Sequence, residues 1–219
     1  MKILISDAFD PGLPARLAKF GEVTDDKSAV SDADVVLVRS KTKCTKEYID
    51  NAPNLKLIIR GGVGIDNIDV AYAKEKGIEV RNTPAASSIA VAELAFTLML
   101  ALPNNVIKGH GGMVKGEWLK KECKRSELYQ KTLGMIGLGR IGYETAKRAK
   151  AFGMKVIAYD VVKTDQDAAE YVDSLDDLLG QADYISLHTP LTDDTKGMIN
   201  KDLIAKMKDG VRIVNTGRG

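Results

Sequence analysis

The chain has 219 residues, of which 44% are hydrophobic and 28% charged, and its formal net charge at pH 7 is +2. This balance is typical of a globular protein with one or two domains, and it argues against a nucleic-acid-binding protein, which would carry a dense basic surface. Cys44 and Cys123 lie too far apart in sequence for a metal-ligand pair or a disulfide framework, so we expect reduced thiols and no metal site. The longest apolar run, residues 89–102, contains Glu93 and is too short to span a bilayer, and no signal peptide precedes the first strand. A cytoplasmic protein without membrane association is therefore expected.

Apolar strands alternate with helical segments in the first part of the chain. The predicted strands cover residues 2–7, 33–40, 55–61 and 78–82. Thr45 is placed to cap one of the intervening helices and Gly77 to end another. Such alternation predicts a parallel sheet that is covered by helices on both faces.

The alternation of strands and helices is interrupted in the middle of the chain. Residues 87–102 have helical spacing and are apolar all round, which predicts a buried helix that links two domains or packs against a partner subunit. Residues 103–131 are polar, lysine-rich and glycine-bearing, and are predicted to form a surface connector without strands. A second alternating run follows, with a strand and turn at 132–139 and further strands at 154–160, 183–188 and 211–216. The predicted class is α/β, with two doubly wound parallel-sheet domains at 1–99 and 100–219.

A glycine-rich turn, "GLGRIG", joins the first strand of the second run to a helix. Gly137 permits a tight turn, Gly139 permits close approach of a pyrophosphate, and Gly142 permits close packing of helix and sheet. The amides around Arg140 and Ile141 are then free to bind phosphate at a helix N-terminus. Three glycines alone are weak evidence, but their position between strand and helix is that of the dinucleotide-binding Rossmann fingerprint.

Asp160 ends the next strand, about 20 residues beyond Gly137, where a carboxylate accepts hydrogen bonds from the ribose hydroxyls of NAD. The same charge would repel the 2′-phosphate of NADP, although nearby Lys163 weakens that preference. The alternative is an unrelated α/β protein in which the glycines form a plain turn and Asp160 is a solvated strand end.

A second glycine turn, "RGGVGID", follows the strand at 55–61. Free amides at Gly61, Gly62 and Gly64 would form a concavity that binds an anion, or the segment is simply a turn. Strand-end cations lie nearby in sequence: Arg39 beside Ser40 and Lys41, and Arg60. They would suit a substrate with a phosphate besides a carboxylate, unless they form only a solvated basic rim.

The final strand delivers Arg218 in "VNTGRG". A guanidinium has planar donors and stays charged, so it suits a carboxylate beside a polarised oxygen. The alternative is a solvated arginine at a strand end.

These segments, in this order, resemble the D-isomer-specific 2-hydroxyacid dehydrogenases. The resemblance is carried by "GGVGIDNID", "VRNTPAASSIAVAEL", "QKTLGMIGLGRIG", "AKAFGMKVIAYD", "SLHTPLT" and "VNTGRG". Three segments, "VRSKTK", "IIRGGVGIDNID" and "WLKKECKRSELYQKTLG", are more similar to the phosphoglycerate dehydrogenase branch.

The resemblance implies a flavodoxin-like substrate domain and a Rossmann domain, with substrate and NAD in the cleft between them. It implies a homodimer formed largely by the NAD domain and the long helix before it. Arg218 would bind the substrate carboxylate and the C2 oxygen, and the turn containing Val63 would bind substrate and reach the nicotinamide. Further cofactor contacts are implied at His188, Thr189, Pro190, Thr216 and Gly217.

In the family, the catalytic histidine and the glutamate that orients it follow the arginine. The chain ends before both, so we expect a fragment with two incomplete domains that binds NAD weakly and turns over little. His188 is not expected to carry the proton, because no acidic residue flanks it, and His110 is expected to be exposed.

The leading functional hypothesis is NAD-dependent oxidation of a D-2-hydroxy acid, with 3-phosphoglycerate, at the first step of serine biosynthesis, as the expected substrate. A dehydrogenase of glyoxylate, hydroxypyruvate or D-lactate is the alternative. A non-catalytic NAD-sensing protein, similar to a corepressor, is the alternative from another functional class.

Overall fold

Two parallel sheets of five strands each form the framework of the protein. The computed structural model describes residues 1–165 and 167–218. One sheet lies in the unit Met1–Ser87 and the other in the unit Ser88–Gly219. The predicted α/β class and the two doubly wound sheets are confirmed.

The first unit builds its sheet from short apolar strands, because a strand covered on both faces must be apolar throughout. All four residues of its central strand, VVLV, are buried. The strands are β1 Lys2–Ile5, β2 Glu22–Thr24, β3 Val35–Val38, β4 Leu57–Arg60 and β5 Glu79–Asn82. The helices are α1 Leu13–Leu17, α2 Lys46–Asp50 and α3 Val70–Glu75, with a 3₁₀ helix at Lys27–Asp32.

The strand order β2-β1-β3-β4-β5 is that of flavodoxin-like sheets, in which the chain reverses direction across the sheet between β1 and β3. The predicted caps are present: the Thr45 hydroxyl accepts a hydrogen bond from the Tyr48 amide, and Gly77 follows α3 with a φ of +75°. Loops after β1 and β3 therefore meet at one edge of the sheet, where ligands of such folds bind.

The second unit begins with two helices and continues with a second sheet. Its helices are α4 Ser88–Ala101, α5 Val106–Val114, α6 Arg140–Ala151, α7 Leu175–Gln181 and α8 Lys201–Ile204. Its strands are β6 Thr132–Ile136, β7 Lys155–Tyr159, β8 Glu170–Tyr171, β9 Tyr184–Leu187 and β10 Arg212–Asn215. The order β10-β9-β6-β7-β8 places the reversal between β6 and β9, as in dinucleotide-binding sheets.

The two units divide before α4, whereas residue 99, the predicted boundary, lies inside this helix. Phe96 and Met99 of α4 are buried in the same core as Ala146 and Ala149 of α6. Arg148 also pairs with Glu93 at 3.2 Å. These contacts attach α4 to the second unit.

Residues 103–131 were expected to contain only a connector, but α5 lies within them. Its glycines give it a low helix propensity, and packing compensates. Gly112 is buried, and a Cβ there would lie 2.6 Å from Leu119 Cδ1, so the small residue lets the helix pack closely against the following segment. The short strands β2 and β8 were also not predicted.

Within this chain α4 is buried on one side only, so the alternative in which it packs against a partner subunit stays a prediction. Leu94 and Leu98 are exposed, and so are Ile107 and Val114 on α5 and Trp118 beyond it. These five residues are called the apolar surface below.

Within the described residues, no individual helix is both long and apolar enough to cross a membrane. Taken as a pair, α4 and α5 meet the criteria of length and composition, and they are bent by 69° where they join.

Candidate functional site

The glycine turn after β6 has the conformation that its sequence predicts. Gly137 has a φ of +90°, and its amide donates to the Tyr159 carbonyl at 3.0 Å. A Cβ on Gly137 would lie 3.0 Å from the His188 carbonyl oxygen. A side chain at this position would be strained and crowded, so the tight turn requires glycine.

The other two glycines have different surroundings. A Cβ on Gly142 would collide with the Gly137 carbonyl oxygen, so this glycine allows α6 to pack directly on the turn. A Cβ on Gly139 would meet no atom within 4 Å. Gly139 precedes α6 and no side chain caps this helix. The first amides of the helix, from Arg140 onward, therefore face space that an anion can enter.

Asp160 lies beside this turn. Its carboxylate accepts hydrogen bonds from the Leu138 amide at 2.7 Å and from the Val162 amide at 3.0 Å. The side chain is only partly buried, so its remaining lone pairs are accessible. The structure thus brings the predicted carboxylate and the predicted phosphate-binding turn together.

The ends of β9 and β10 complete this edge of the sheet. The His188 amide donates to the Ile136 carbonyl at 2.8 Å, which aligns the end of β9 with the glycine turn. A Cβ on Gly217 would lie 3.4 Å from the Thr189 carbonyl oxygen, so the loop after β10 lies beside the loop after β9. This edge gathers the cofactor residues that were predicted in the second unit: Gly137, Gly139, Arg140, Ile141, Gly142, Asp160, His188, Thr189, Pro190, Thr216, Gly217 and Arg218.

The imidazole of His188 is partly buried, and its Nε2 lies 2.8 Å from the hydroxyl of Ser186, a fully buried residue. Burial disfavours the charged imidazolium and lowers the pKa of His188 from 6.5 to about 4. His188 is therefore neutral near pH 7, which favours the expectation that it does not carry the catalytic proton. His110 is exposed on α5.

Asn215 fixes the loop that carries Arg218. Its Oδ1 accepts a hydrogen bond from the Gly217 amide at 2.9 Å, and its Nδ2 donates to the Arg218 carbonyl at 2.6 Å. The Arg218 side chain is exposed and donates from Nη1 to the Gly217 carbonyl at 3.1 Å. Sequence reasoning did not single out Asn215, although it is the second residue of the quoted motif "VNTGRG".

A cavity of about 210 Å³ opens between the ends of β9 and β10, and its lining includes Thr189, Pro190, Asn215 and Arg218. The nearby Thr216 hydroxyl is buried and has no hydrogen-bond partner within residues 1–165 and 167–218. A buried polar atom without a partner costs free energy, so a ligand that satisfies it would bind more tightly.

In the first unit, the expectation of free amides throughout the turn after β4 is wrong. The Gly61 amide donates to the Val38 carbonyl at 2.8 Å, and the Gly62 amide donates to the Thr83 hydroxyl at 2.8 Å. In the described part of the chain, the amides of Val63 and Gly64 have no such partner. An anion-binding role is therefore restricted to these two amides, since the fold itself uses the other two.

The predicted cations lie at the same edge of the first sheet. Arg60 ends β4 and is in register with Val38, the last residue of β3. Arg39 follows Val38 and donates from Nη1 to the Ala8 carbonyl at 3.2 Å, and its Cγ would lie 3.6 Å from a Cβ on Gly61. Arg39 and Ser40 are exposed, so they are accessible to a ligand.

Two more residues at this edge were not identified from the sequence. Asp7 is buried at the end of β1, and Asn67 follows the glycine turn; both bind the loop that begins with Arg39. The strand-end rule that identified Asp160 applies equally to Asp7 and would have found it.

Comparison with known proteins agrees with this geometry. Residues 96–219 match the model of the D-isomer specific 2-hydroxyacid dehydrogenase family, NAD binding domain. The chain belongs to this family. No group of three or more potential metal ligands is found within the described residues of this family member.

Curated relatives in the family differ in their names. The chain is 56% identical over 191 residues to a hydroxypyruvate reductase of Thermotoga maritima, a match that covers 87% of this chain. It is 47% identical over its whole length to a D-3-phosphoglycerate dehydrogenase of Methanocaldococcus jannaschii. The chain spans 62% and 44% of the lengths of these two relatives.

Solved structures show the same fold. The D-lactate dehydrogenase of Aquifex aeolicus, solved with NAD and lactic acid, has a TM-score of 0.89 and 37% sequence identity. That match covers all of this chain and 69% of the other. A glyoxylate reductase from Paecilomyes thermophila has a TM-score of 0.90 and 32% identity, with coverage of 100% and 74%.

Proposed function

We propose that the natural protein is an NAD-dependent oxidoreductase that acts on a D-2-hydroxy acid. The observation that supports this proposal best is the convergence at one sheet edge of the uncapped N-terminus of α6, the Asp160 carboxylate and the Arg218 loop. This edge lies at the reversal point between β6 and β9, where ligands of doubly wound sheets bind.

The residues present fit the cofactor. The open space at Gly139 admits a pyrophosphate to the amides of Arg140 and Ile141, and Asp160 accepts hydrogen bonds from ribose hydroxyls. Val161 and Val162 follow Asp160 and are exposed and apolar, so they offer nothing to a 2′-phosphate. NAD is therefore preferred to NADP, and when bound it supplies the hydride acceptor of the reaction.

On the substrate, Arg218 would bind the carboxylate and polarise the C2 oxygen, because a guanidinium can donate to both groups. Lysine keeps the positive charge but loses the planar fork that donates to both groups, so Arg218→Lys would lower kcat/KM by a factor of about 100 or more.

The specific substrate proposed is D-3-phosphoglycerate, which would place the enzyme at the entry to serine biosynthesis. Arg39 and Arg60, at adjacent strand ends, supply positive charge for a phosphate besides the carboxylate. Hydroxypyruvate is the second candidate, and the 56% identity to a hydroxypyruvate reductase favours it.

Steady-state kinetics of the full-length protein tests the proposal. D-3-phosphoglycerate with NAD should be turned over with a kcat/KM at least about 100 times that for D-glycerate, because one charged contact contributes about 1.5–3 kcal/mol. Arg39→Gln should remove most of this preference. Equal values for the two acids, or faster reduction of hydroxypyruvate than of its phosphate ester, would favour the second candidate.

A homodimer is proposed to cover the apolar surface of α4 and α5. Ile107 is 80% exposed and Trp118 is 77% exposed, and they belong to one unit with the exposed leucines of α4. Several large apolar side chains exposed on one unit are typical of a protein interface, and a second copy of the chain offers the same residues by symmetry.

A further inference from the structure

The loop that follows β3, residues 39–42, carries the candidate phosphate-binding Arg39. It leaves the sheet beside the reversal point between β1 and β3. A loop at this place would be free to move if only its own backbone held it. Two side chains from distant parts of the first unit hold it.

Asp7 binds the loop from the side of β1. Its Oδ2 accepts hydrogen bonds from the Arg39 amide at 2.6 Å and the Thr42 amide at 3.2 Å, and its Oδ1 accepts one from the Thr42 hydroxyl at 2.8 Å. Asp7 is only 8% exposed. Burial by itself would raise the pKa of this carboxyl, but the hydrogen bonds from Arg39 and Thr42 keep the pKa below its ordinary value.

Asn67 binds the same loop through its side-chain amide. Its Nδ2 donates to the Arg39 carbonyl at 2.8 Å and to the Thr42 carbonyl at 2.7 Å. The Asn67 carbonyl accepts from the Cys44 amide at 2.8 Å, which ties this asparagine to the start of α2. Asp7 therefore accepts hydrogen bonds from the donors of the loop, and Asn67 donates hydrogen bonds to its carbonyl acceptors.

The hydrogen bonds of Asp7 go to main-chain amides and a hydroxyl rather than to the guanidinium. No ion pair within residues 1–165 and 167–218 includes Arg39. The Asp7 carboxylate thus fixes the Arg39 backbone and leaves the positive charge of the side chain available to an anion.

We propose that Asp7 and Asn67 are positioning residues that hold Arg39 for the phosphate of the substrate. The proposal rests on the proposed function, in which Arg39 binds that phosphate. Fixing the loop before binding removes an entropy cost that the substrate would otherwise bear, so loss of either residue should weaken binding of phosphorylated substrate specifically.

The matched control is Asp34, a carboxylate at the opposite end of β3. It accepts hydrogen bonds from the Lys2 amide and the Lys56 ammonium, each at 2.8 Å. Asp34→Asn also removes a charge that accepts a main-chain amide, but it lies away from the proposed site. Its effect should be confined to stability.

The test compares Asp7→Asn, Asn67→Ala and Asp34→Asn in the full-length protein. We expect the first two variants to raise KM for D-3-phosphoglycerate about tenfold, because each loses roughly one hydrogen bond. KM for NAD should stay within about twofold. Asp34→Asn should leave both KM values unchanged. Thermal unfolding of each variant measures how far the substitution lowers the stability of the fold.

Thr42→Val and Thr42→Ser keep the test decisive if the first variants fail to fold. Thr42→Val removes the hydroxyl that Asp7 accepts and should raise KM for D-3-phosphoglycerate about threefold, and Thr42→Ser should restore it. Unchanged KM in Thr42→Val or Asp7→Asn, alongside a raised KM in Arg39→Gln, would overturn the positioning role and leave the proposed function intact. An unchanged KM in Arg39→Gln itself would overturn both.

Discussion

The Asp160 carboxylate accepts a hydrogen bond of 2.7 Å from the Leu138 main-chain amide, inside the turn that follows β6. A single side chain at the end of β7 therefore fixes the conformation of the glycine turn. The same carboxylate also accepts from the Val162 amide. These two main-chain contacts hold the Asp160 carboxylate in one position, and a fixed acceptor favours tight binding of a ribose.

Replacement of Asp160 should separate its structural role from its cofactor role. Asp160→Asn keeps an acceptor for the Leu138 amide but loses the charge, so we expect Kd for NADH to rise about tenfold and the preference over NADPH to shrink. Asp160→Ala leaves the Leu138 amide without its partner and should cost a further 1–3 kcal/mol, roughly, in unfolding free energy. Fluorescence titration and urea unfolding measure the two effects, and identical behaviour of both variants would contradict this division.

The glycines of the turn offer a matched pair of substitutions. Gly142→Ala forces a methyl group against the Gly137 carbonyl and should destabilise the protein by about 1–3 kcal/mol. Gly139→Ala meets no protein atom, so stability should change by less than about 0.5 kcal/mol while Kd for NADH rises at least tenfold. Loss of stability in Gly139→Ala without loss of NADH affinity would show that its open space is not the phosphate site.

Stability should depend on the protonation of His188. Burial lowers its pKa in the folded state to about 4, whereas the unfolded chain titrates near 6.5. The unfolded state therefore binds more protons between these values, so unfolding free energy falls as the pH drops from 6.5 toward 4, by at most about 3 kcal/mol.

Urea unfolding between pH 4 and pH 7.5 measures this dependence. His188→Gln should flatten the profile in this window, because glutamine does not titrate. The hydrogen-bonded carboxylates of Asp7, Asp183 and Glu144, whose pKa values are lowered, also lose their stabilising effect as the pH approaches 4, so the slope above about pH 5 is the part that reports on His188. An unchanged slope in His188→Gln would place the titrating group elsewhere.

The Asn215 side chain should act through the loop that it holds. Asn215→Ala releases the Gly217 amide and the Arg218 carbonyl, so we expect kcat/KM for the hydroxy acid to fall about tenfold, since small misplacement of a reacting group is costly. Asn215→Asp keeps the contact to the Gly217 amide but loses the donor, and its effect should be intermediate. Steady-state kinetics of the full-length protein would contradict this role if both variants matched the wild type.

The apolar surface gives a prediction about assembly. Ile107→Glu should convert a dimer to monomers in sedimentation velocity, because a buried unpaired carboxylate opposes association. Phe20→Glu is the control, since Phe20 is also exposed but lies in the first unit. Dissociation by the control, or a dimer that survives Ile107→Glu, would place the interface elsewhere.

The sequence predicted the fold and the local conformation of the glycine turn after β6, for physical reasons that particular residues illustrate. Buried parallel strands such as β3 are continuously apolar, and Gly137, Gly142 and Asp160 have spacings that local backbone geometry dictates. Such features can be predicted from the sequence because each depends on a few neighbouring residues.

What the sequence did not reveal depends on contacts between distant segments. From the sequence, the Gly62 amide is expected to be free. In the structure it donates to the hydroxyl of Thr83, which lies 21 residues later in the chain, beyond α3. Helix α5 forms despite its glycines because Gly112 packs against Leu119. The roles of Asp7 and Asn67 likewise arise only when the loop after β3 is folded between them.

Calorimetric titration of the full-length protein with NADH tests the central claim most directly. One molecule should bind per chain with micromolar or tighter affinity, and Gly139→Ala should abolish most of the heat while retaining the unfolding temperature. The absence of a binding signal from folded wild-type protein, or equal affinity in Gly139→Ala, would contradict a cofactor site at the N-terminus of α6.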